Sequence, residues 1–329
     1  MDIKSDFYHN HRLIQVDIVK TLPYEEFKYF NKSTIQLFKL AYPHRSKIFT
    51  EEYFDWRYEK CFGGSAKFIC LFESTKLIGQ GVIFQQTLFH NGEKLKVAQL
   101  VDLVVHPDHR SFSAVRKIYK ASKDQLENSQ FDLAFALPNS NSIKLNQRLL
   151  KLELALPIHS FLTLFSPFTS IENQYCEIYD RNKEYISSEV LDFLKQPESE
   201  IMWNEQSIKN RLNDPHHKFG FVYNKDTLLV VSPRKLRGIR CVVIFAIFRK
   251  TNNTISKKEW RQLNNAAAKM FKTPFILFVG HNNLLPKPFG IKVSRWIKSA
   301  EKPVQILRLN NDTYFEDFSR LELLDLDIL

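Results

Sequence analysis

Residues 97–150 limit what the chain can fold into more than any other stretch. An apolar strand at 97–105 carries one charged residue, Asp102. A basic turn at 106–111 leads into an amphipathic helix over about 112–128. A second strand covers 131–137, and a polar turn at 138–142 opens another helix that runs to about Lys151. A strand that feeds straight into a helix N-terminus offers exposed N–H groups and the positive end of the helix dipole, where a pyrophosphate can sit.

The rest of the chain is rich in strands. Residues 13–19 alternate and predict a strand, a helix follows from about 24 to 39, and Thr50 caps a helix over 51–58 whose first turn is acidic. A hairpin joins 67–73 to 77–88 across Ser74-Thr75-Lys76. A second turn, at Asn91-Gly92, suits positive φ and leads into the 97–105 strand. From about residue 170 the order starts again. A strand is expected at 175–179, helices at 187–194 and 203–212, and a hairpin of 218–223 with 227–232. A strand at 238–249, a helix at 257–271, a buried strand at 274–279 and a strand at 304–309 complete it.

A length of 329 residues suits two domains, 1–168 and 169–329. The 28 Phe against 9 Gly fit packed sheet rather than disorder. The net charge of +11 admits a polyanionic partner, whether nucleic acid, an anionic membrane surface or a phosphate-rich cofactor; a lysine-rich solvated surface is the favoured account, since no long basic block occurs. Cys61, Cys70, Cys176 and Cys241 form no Cys-x-x-Cys pair, which argues against a structural metal and suits a reducing compartment. No apolar run nears the roughly 18 residues of a spanning helix, and residues 1–11 are too polar for a signal peptide. A soluble, cytoplasmic protein is expected.

The central stretch resembles the acyl-CoA-binding heart of the GNAT acyltransferase superfamily. The family's Val-x-Pro-x-x-Arg turn is Val105-His106-Pro107-Asp108-His109-Arg110, and its Asn-led helix motif is 139–150, in the right order and separation. The resemblance implies an α/β (α+β) fold of two tandem GNAT-like domains. Each would be a mixed, mostly antiparallel sheet flanked by helices, and the second would be degenerate, because no Pro-x-x-Arg turn follows 244–247. Chains of this kind are familiar in bacteria, in envelope or polysaccharide modification. The resemblance also implies acetyl-CoA or another acyl-CoA as co-substrate, no metal, and a small-molecule acceptor that attacks the thioester directly. In the family two parallel strands splay apart. Backbone groups of Leu103, Val104 and Val105 would then bond the pantetheine amides, and the turn of Arg110, Ser111, Phe112, Ser113, Ala114 and Val115 would face the pyrophosphate, with Asn141 as a further cofactor contact.

The sequence departs from the family at three points: Ser113 and Val115 stand where glycines are usual, Asn146 replaces the frequent tyrosine, and Leu150 replaces a closing glycine. Asn146 sits where the departing thiolate is normally protonated, and an amide is a poor acid, so a water would take that part. Asp102 is the candidate base, or the group that positions a water; the other reading is a structural carboxylate paired with Arg57. Gln99, three residues earlier, alternates to the opposite face and would orient the acceptor. Trp56 and Arg57 lie where related chains build the acceptor pocket. Asn139 is expected to cap the last helix, and Asp325-Leu326-Asp327 to close the acceptor side. Two further classes stay open: a Fem-type aminoacyl transferase fed by aminoacyl-tRNA, for which the chain lacks a heptad arm, and a catalytically inactive binding module.

Overall fold

The fold is that of a computed structural model, which describes residues 17–64, 66–90, 92–194, 200–236, 238–286, 290–293, 302–310 and 318–326. Residues 13–16 of the first expected strand, and Asp327, lie outside them. The first half runs β1 (Asp17–Pro23), α1 (Tyr24–Phe27), α2 (Asn31–Ala41), α3 (Glu51–Asp55), β2 (Lys67–Glu73), β3 (Lys76–His90), β4 (Glu93–Val105), α4 (Phe112–Asn128), β5 (Leu133–Ala136), α5 (Ser140–Leu149) and β6 (Glu153–Leu164). The second runs β7 (Tyr175–Ile178), α6 (Ser188–Leu191), β8 (Glu200–Ile201), α7 (Glu205–Leu212), β9 (Gly220–Tyr223), β10 (Thr227–Leu236), β11 (Ile239–Arg249), α8 (Lys257–Met270), β12 (Phe275–Asn282), β13 (Ile291–Lys292), β14 (Lys302–Arg308) and β15 (Arg320–Glu322).

The expected helix over 24–39 is broken. A 3-10 turn at Lys28–Phe30 separates α1 from α2. Phe27 stacks on Phe68 with ring centres 3.5 Å apart, and Phe30 packs on Phe72 at 5.1 Å. In a 3-10 turn side chains three apart eclipse, which sets both rings over the first sheet. Thr50 caps α3 as its sequence position suggests, its hydroxyl accepting from Tyr53 N at 3.2 Å. The helix then widens into a π turn at Trp56–Lys60, so Trp56, Arg57 and Tyr58 all point inward and are buried.

The strands form one continuous mixed sheet in the order β1-β2-β3-β4-β5-β14-β6-β12-β11-β10-β9-β7. Pairing is antiparallel from β1 to β4 and parallel between β4 and β5, which α4 connects. The second half repeats that order: β7, β9, β10 and β11 pair antiparallel, and β11 and β12 pair parallel across α8. The two runs exchange strands in the middle. β14 inserts between β5 and β6, while β6 pairs with β14 over its first part and with β12 over its second. Residues 302–308 thus belong in space to the first sheet, although they lie far beyond residue 168 in the chain. Buried aromatics of α1–α3, β2 and β3 form one core with the C-terminal segment, and α4 and α8 each cover the other face of their own sheet. Among the described residues no helix is long and apolar enough to cross a membrane.

Candidate functional site

β4 and β5 are hydrogen-bonded from Val97↔Leu133 to Leu100↔Ala136 and no further. β5 ends there because Leu137 leads into Pro138, which lacks an N–H, and Asn139, which caps α5. β4 runs on to Val105. The two chains diverge around a cleft of about 190 Å³. Leu100–Leu103 form one wall. Ala136–Pro138 form the other, and Ser142 and Asn146 of α5, Tyr119 and Ser122 of α4 and Tyr42 after α2 are among the other lining residues. Past Leu100 no described strand pairs with β4 on this side, so its outward backbone groups face the cleft.

Asp102 shapes the β4 wall. The register against β3 jumps from Val82↔Val101 to Gln80↔Val104, so Asp102 and Leu103 together oppose Gly81. This is a bulge, and Asp102 takes the left-handed backbone, φ +52°. Three bonds hold it there. Arg57 donates from Nε and Nη2, each at 2.9 Å, to the two carboxylate oxygens, and Tyr58 donates its hydroxyl at 2.8 Å. Both oxygens are engaged. The pairing with Arg57 that the sequence left open is the arrangement found. The bulge also corrects the expected face of Gln99. Gln99 stands opposite Phe84, Phe84 packs on Tyr58, and Tyr58 bonds Asp102. Gln99 and Asp102 therefore share a face, because the extra residue restores the alternation.

The turn before α4 offers fewer free N–H groups than its sequence promises. Ser111 is the N-cap and its hydroxyl accepts from Ala114 N at 3.1 Å; Val115 N bonds Ser111 O at 3.2 Å. The amides of Phe112 and Ser113 are left at the open end. Ala114 is buried and Val115 packs inward, so their side chains serve the core. The Phe112 ring lies exposed under the Arg148 guanidinium, and Arg110 reaches back to Val105 O at 3.3 Å, beside the end of β4. Of the three expected β4 contacts, Leu103 lines the cleft, whereas the side chains of Val104 and Val105 are buried in the core. Asn139 caps α5 as expected, accepting from the amides of Asn141 and Ser142 at 3.0 Å each. Asn141 is exposed and does not line the cleft; its neighbour Ser142 does. Asn139→Ala is expected to cost about 1 kcal/mol of stability, read by urea unfolding, because two orphan amides lose their acceptor.

Asn146 lies at the back of the cleft, 6% exposed. Its Oδ1 accepts from the Tyr119 hydroxyl at 2.5 Å and its Nδ2 donates to Gln305 Oε1 of β14 at 2.9 Å. Burial pushes the Tyr119 phenol up to about 12, so it stays neutral. Tyr42, at the mouth, is also raised, by burial first and the Asp102 charge second, against the pull of Arg110 and Arg45. Sequence reasoning missed Tyr42, Tyr119, Ser142 and Gln305. Tyr119 sits on the buried stripe of α4 and is indistinguishable there from packing, and Gln305 comes from a strand with no local link to the site. Pro43, which stops α2 just after Tyr42, was the one available signal.

The residues expected to hold the acceptor link the halves instead. Trp56 is 4% exposed and donates from its indole to Asn210 O at 2.8 Å. Gln99 accepts from Gln86, whose amide also donates to Asp325 O, both at 3.1 Å. Asp325 takes the Trp203 indole N–H at 2.8 Å. This C-terminal segment fills the second sheet's own divergence. β11 and β12 pair only from Val242↔Ile276 to Ile244↔Phe278. Beyond that, Leu324 N bonds Phe245 O, Glu322 accepts from Ile247 N, Arg320 donates to Ile247 O, and β15 pairs with β12. The counterpart of the open cleft is therefore plugged by the chain itself.

One buried guanidinium, Arg320, serves that plug, with Glu200 at 2.6 Å and Glu322 at 3.8 Å. Burial, with the Asp325 charge adding to it, pushes the Glu322 carboxyl up to about 8 against Arg320. A raised acid favours the folded state most at low pH, and that stability fades as pH rises from near 4.5 through about 8. Melting temperature is expected to fall between pH 5 and 8.5, and to fall less steeply in Glu322→Gln.

Residues 20–145 match the family described as the acetyltransferase (GNAT) domain. No curated protein matches the chain. Among solved structures, the GCN5-related N-acetyltransferase from Anabaena variabilis ATCC 29413 superposes with a TM-score of 0.60 at 13% identity, covering 89% of this chain and 73% of that one. The GCN5-related N-acetyltransferase from Kribbella flavida gives 0.58 at 9% identity, over 88% and 71%. The Saccharomyces cerevisiae N-myristoyltransferase with bound myristoyl-CoA gives 0.56 at 10% identity, over 90% and 80%. At these identities the likeness is one of fold. Among the described residues no group of three or more His, Cys, Asp or Glu gathers to hold a metal.

Proposed function

Residues 20–145 match the GNAT acetyltransferase domain, and from that match we propose that the protein is an acyltransferase whose β4/β5 cleft holds acetyl-CoA or another short acyl-CoA. The observation that carries this reading is the end of pairing at Leu100↔Ala136, with β4 continuing alone beside a cleft. Free backbone groups of residues 101–105 would bond the pantetheine amides. The amides of Phe112 and Ser113, with Arg110 nearby, would meet the pyrophosphate. An amine or hydroxyl of a small acceptor attacks the thioester carbonyl carbon, the carbon–sulfur bond breaks, and the thiolate leaves. Neither Asp102, locked to Arg57, nor Asn146 is placed to move a proton. Water takes the acceptor's proton and water protonates the thiolate. Asp102 acts by holding the bulge that sets the cleft wall. The second half is read as a copy that no longer holds a cofactor, its divergence plugged by residues 320–324.

Titration calorimetry with acetyl-CoA tests the reading. Micromolar binding that weakens at least about tenfold in Arg110→Glu, or roughly 1.4 kcal/mol, is expected. No heat with any acyl-CoA would refute it. Salt-sensitive retention of tRNA would instead favour the aminoacyl-transfer alternative, and binding without turnover of any amine would mark an inactive module.

A further inference from the structure

Four groups form a chain of hydrogen bonds with one possible direction. It starts at a fixed acceptor, the backbone carbonyl of Ile143 in α5, which takes a bond from Gln305 Nε2 at 3.1 Å. Gln305 must therefore turn its Oε1 to Asn146, which supplies Nδ2 at 2.9 Å. Asn146 is left with Oδ1 toward Tyr119, and the phenol has to donate to it at 2.5 Å. Reversing any link sets two oxygens against each other, because a backbone carbonyl cannot donate. Gln305 is fully buried, with Asn146 and Tyr119 at 6% and 4% exposure, so water is largely shut out of these links. The Tyr119 proton is thus committed to Asn146, at the back of the cleft that both residues line. What the phenol can offer a ligand is a lone pair.

We propose that Tyr119 is a cofactor-binding residue whose oxygen accepts a hydrogen bond from a pantetheine amide N–H, with its polarity fixed from β14 through Gln305 and Asn146. This rests on the acyl-CoA reading. It also gives the strand exchange a consequence: the first-half cleft has a defined donor and acceptor order only because residues 302–308 enter its sheet. The opposite role, a tyrosine that gives its proton to the departing thiolate, would need Asn146 to turn its amide and leave Gln305 facing an oxygen.

The test is a cycle read by calorimetry. Wild type and Tyr119→Phe are each titrated with acetyl-CoA and with two analogues, each having one pantetheine amide nitrogen replaced by oxygen. One analogue is expected to bind wild type about tenfold more weakly than acetyl-CoA, the scale of one hydrogen bond. Tyr119→Phe should bind acetyl-CoA about tenfold more weakly and lose nothing further with that analogue. Gln305→Leu should weaken acetyl-CoA in the same direction. The wild-type arm needs no substitution, so equal binding of acetyl-CoA and both analogues overturns the proposal even if the variants fail to fold. Unchanged affinity in Tyr119→Phe, with a fall in kcat and loss of the alkaline limb of the rate profile, would make the phenol a proton donor and also overturn it. A wild type that binds no acetyl-CoA ends the acyl-CoA reading itself, whereas binding that is indifferent to Tyr119 ends only this inference.

Discussion

Arg57→Leu is expected to cost on the order of 3–5 kcal/mol, because it strands a buried carboxylate. The pair is nearly dry, with side-chain exposures of 6% for Arg57 and 12% for Asp102. Its geometry is bidentate, and Tyr53 also accepts from Arg57 at 3.1 Å. Without the guanidinium, Asp102 keeps only the Tyr58 hydroxyl while still held at positive φ. A domain's whole margin is about 5–15 kcal/mol, so a loss of this size should show in urea unfolding as a large fall in midpoint. The double variant Arg57→Leu/Asp102→Asn should recover part of it, since the charge is gone. A cost below about 1 kcal/mol for the single variant would mean that the pair is not what holds the bulge.

Deleting residues 318–329 is expected to be worse still. Phe318, Leu321, Leu323, Leu324 and Leu326 are all buried, at 0–6% exposure. At roughly 1.5–3 kcal/mol for each buried side chain, their removal costs on the order of 10 kcal/mol. Arg211, 2% exposed in the intact protein, would also lose its three carbonyl partners, Leu323, Leu324 and Leu326. The truncated chain should fail to fold cooperatively by thermal melting and should expose apolar surface that binds a reporter dye. A truncated protein that melts within a few degrees of the full chain would show that residues 318–326 are an appendage rather than part of the core.

Local signals in the sequence carried far. Ser111 as cap and the apolar stripe after it define α4 at Phe112–Asn128, and a Pro and an Asn mark where β5 ends and α5 starts. The divergence of β4 from β5 was an implication of the GNAT resemblance, and the stops at Pro138 and Asn139 fit it. What stayed hidden depended on partners distant in the chain. β6 escaped notice because it is shared between two sheets and broken by Pro157, so neither face shows a clean two-residue alternation. The 302–308 strand was visible as a strand, but nothing in it says that it joins the first sheet. Gln99 was placed on the wrong face because alternation assumes an unbroken ladder, and a single αL aspartate resets it. Asp102 could be read from the sequence either as a base or as the partner of Arg57, and local pattern does not decide between them: Arg57 lies 45 positions away, on a helix that widens into a π turn where its side chain is buried.

Amide hydrogen exchange across residues 101–105, with and without saturating acetyl-CoA, probes the cleft most directly. Those amides of β4 that point away from β3 have, among the described residues, no strand partner beyond Leu100 and should exchange quickly in the free protein. Bound acetyl-CoA is predicted to slow them, together with Phe112 and Ser113 at the start of α4, while β11 stays unchanged. Binding of acetyl-CoA that leaves residues 101–105 exchanging as before, with protection appearing elsewhere, would contradict a cofactor lodged between β4 and β5.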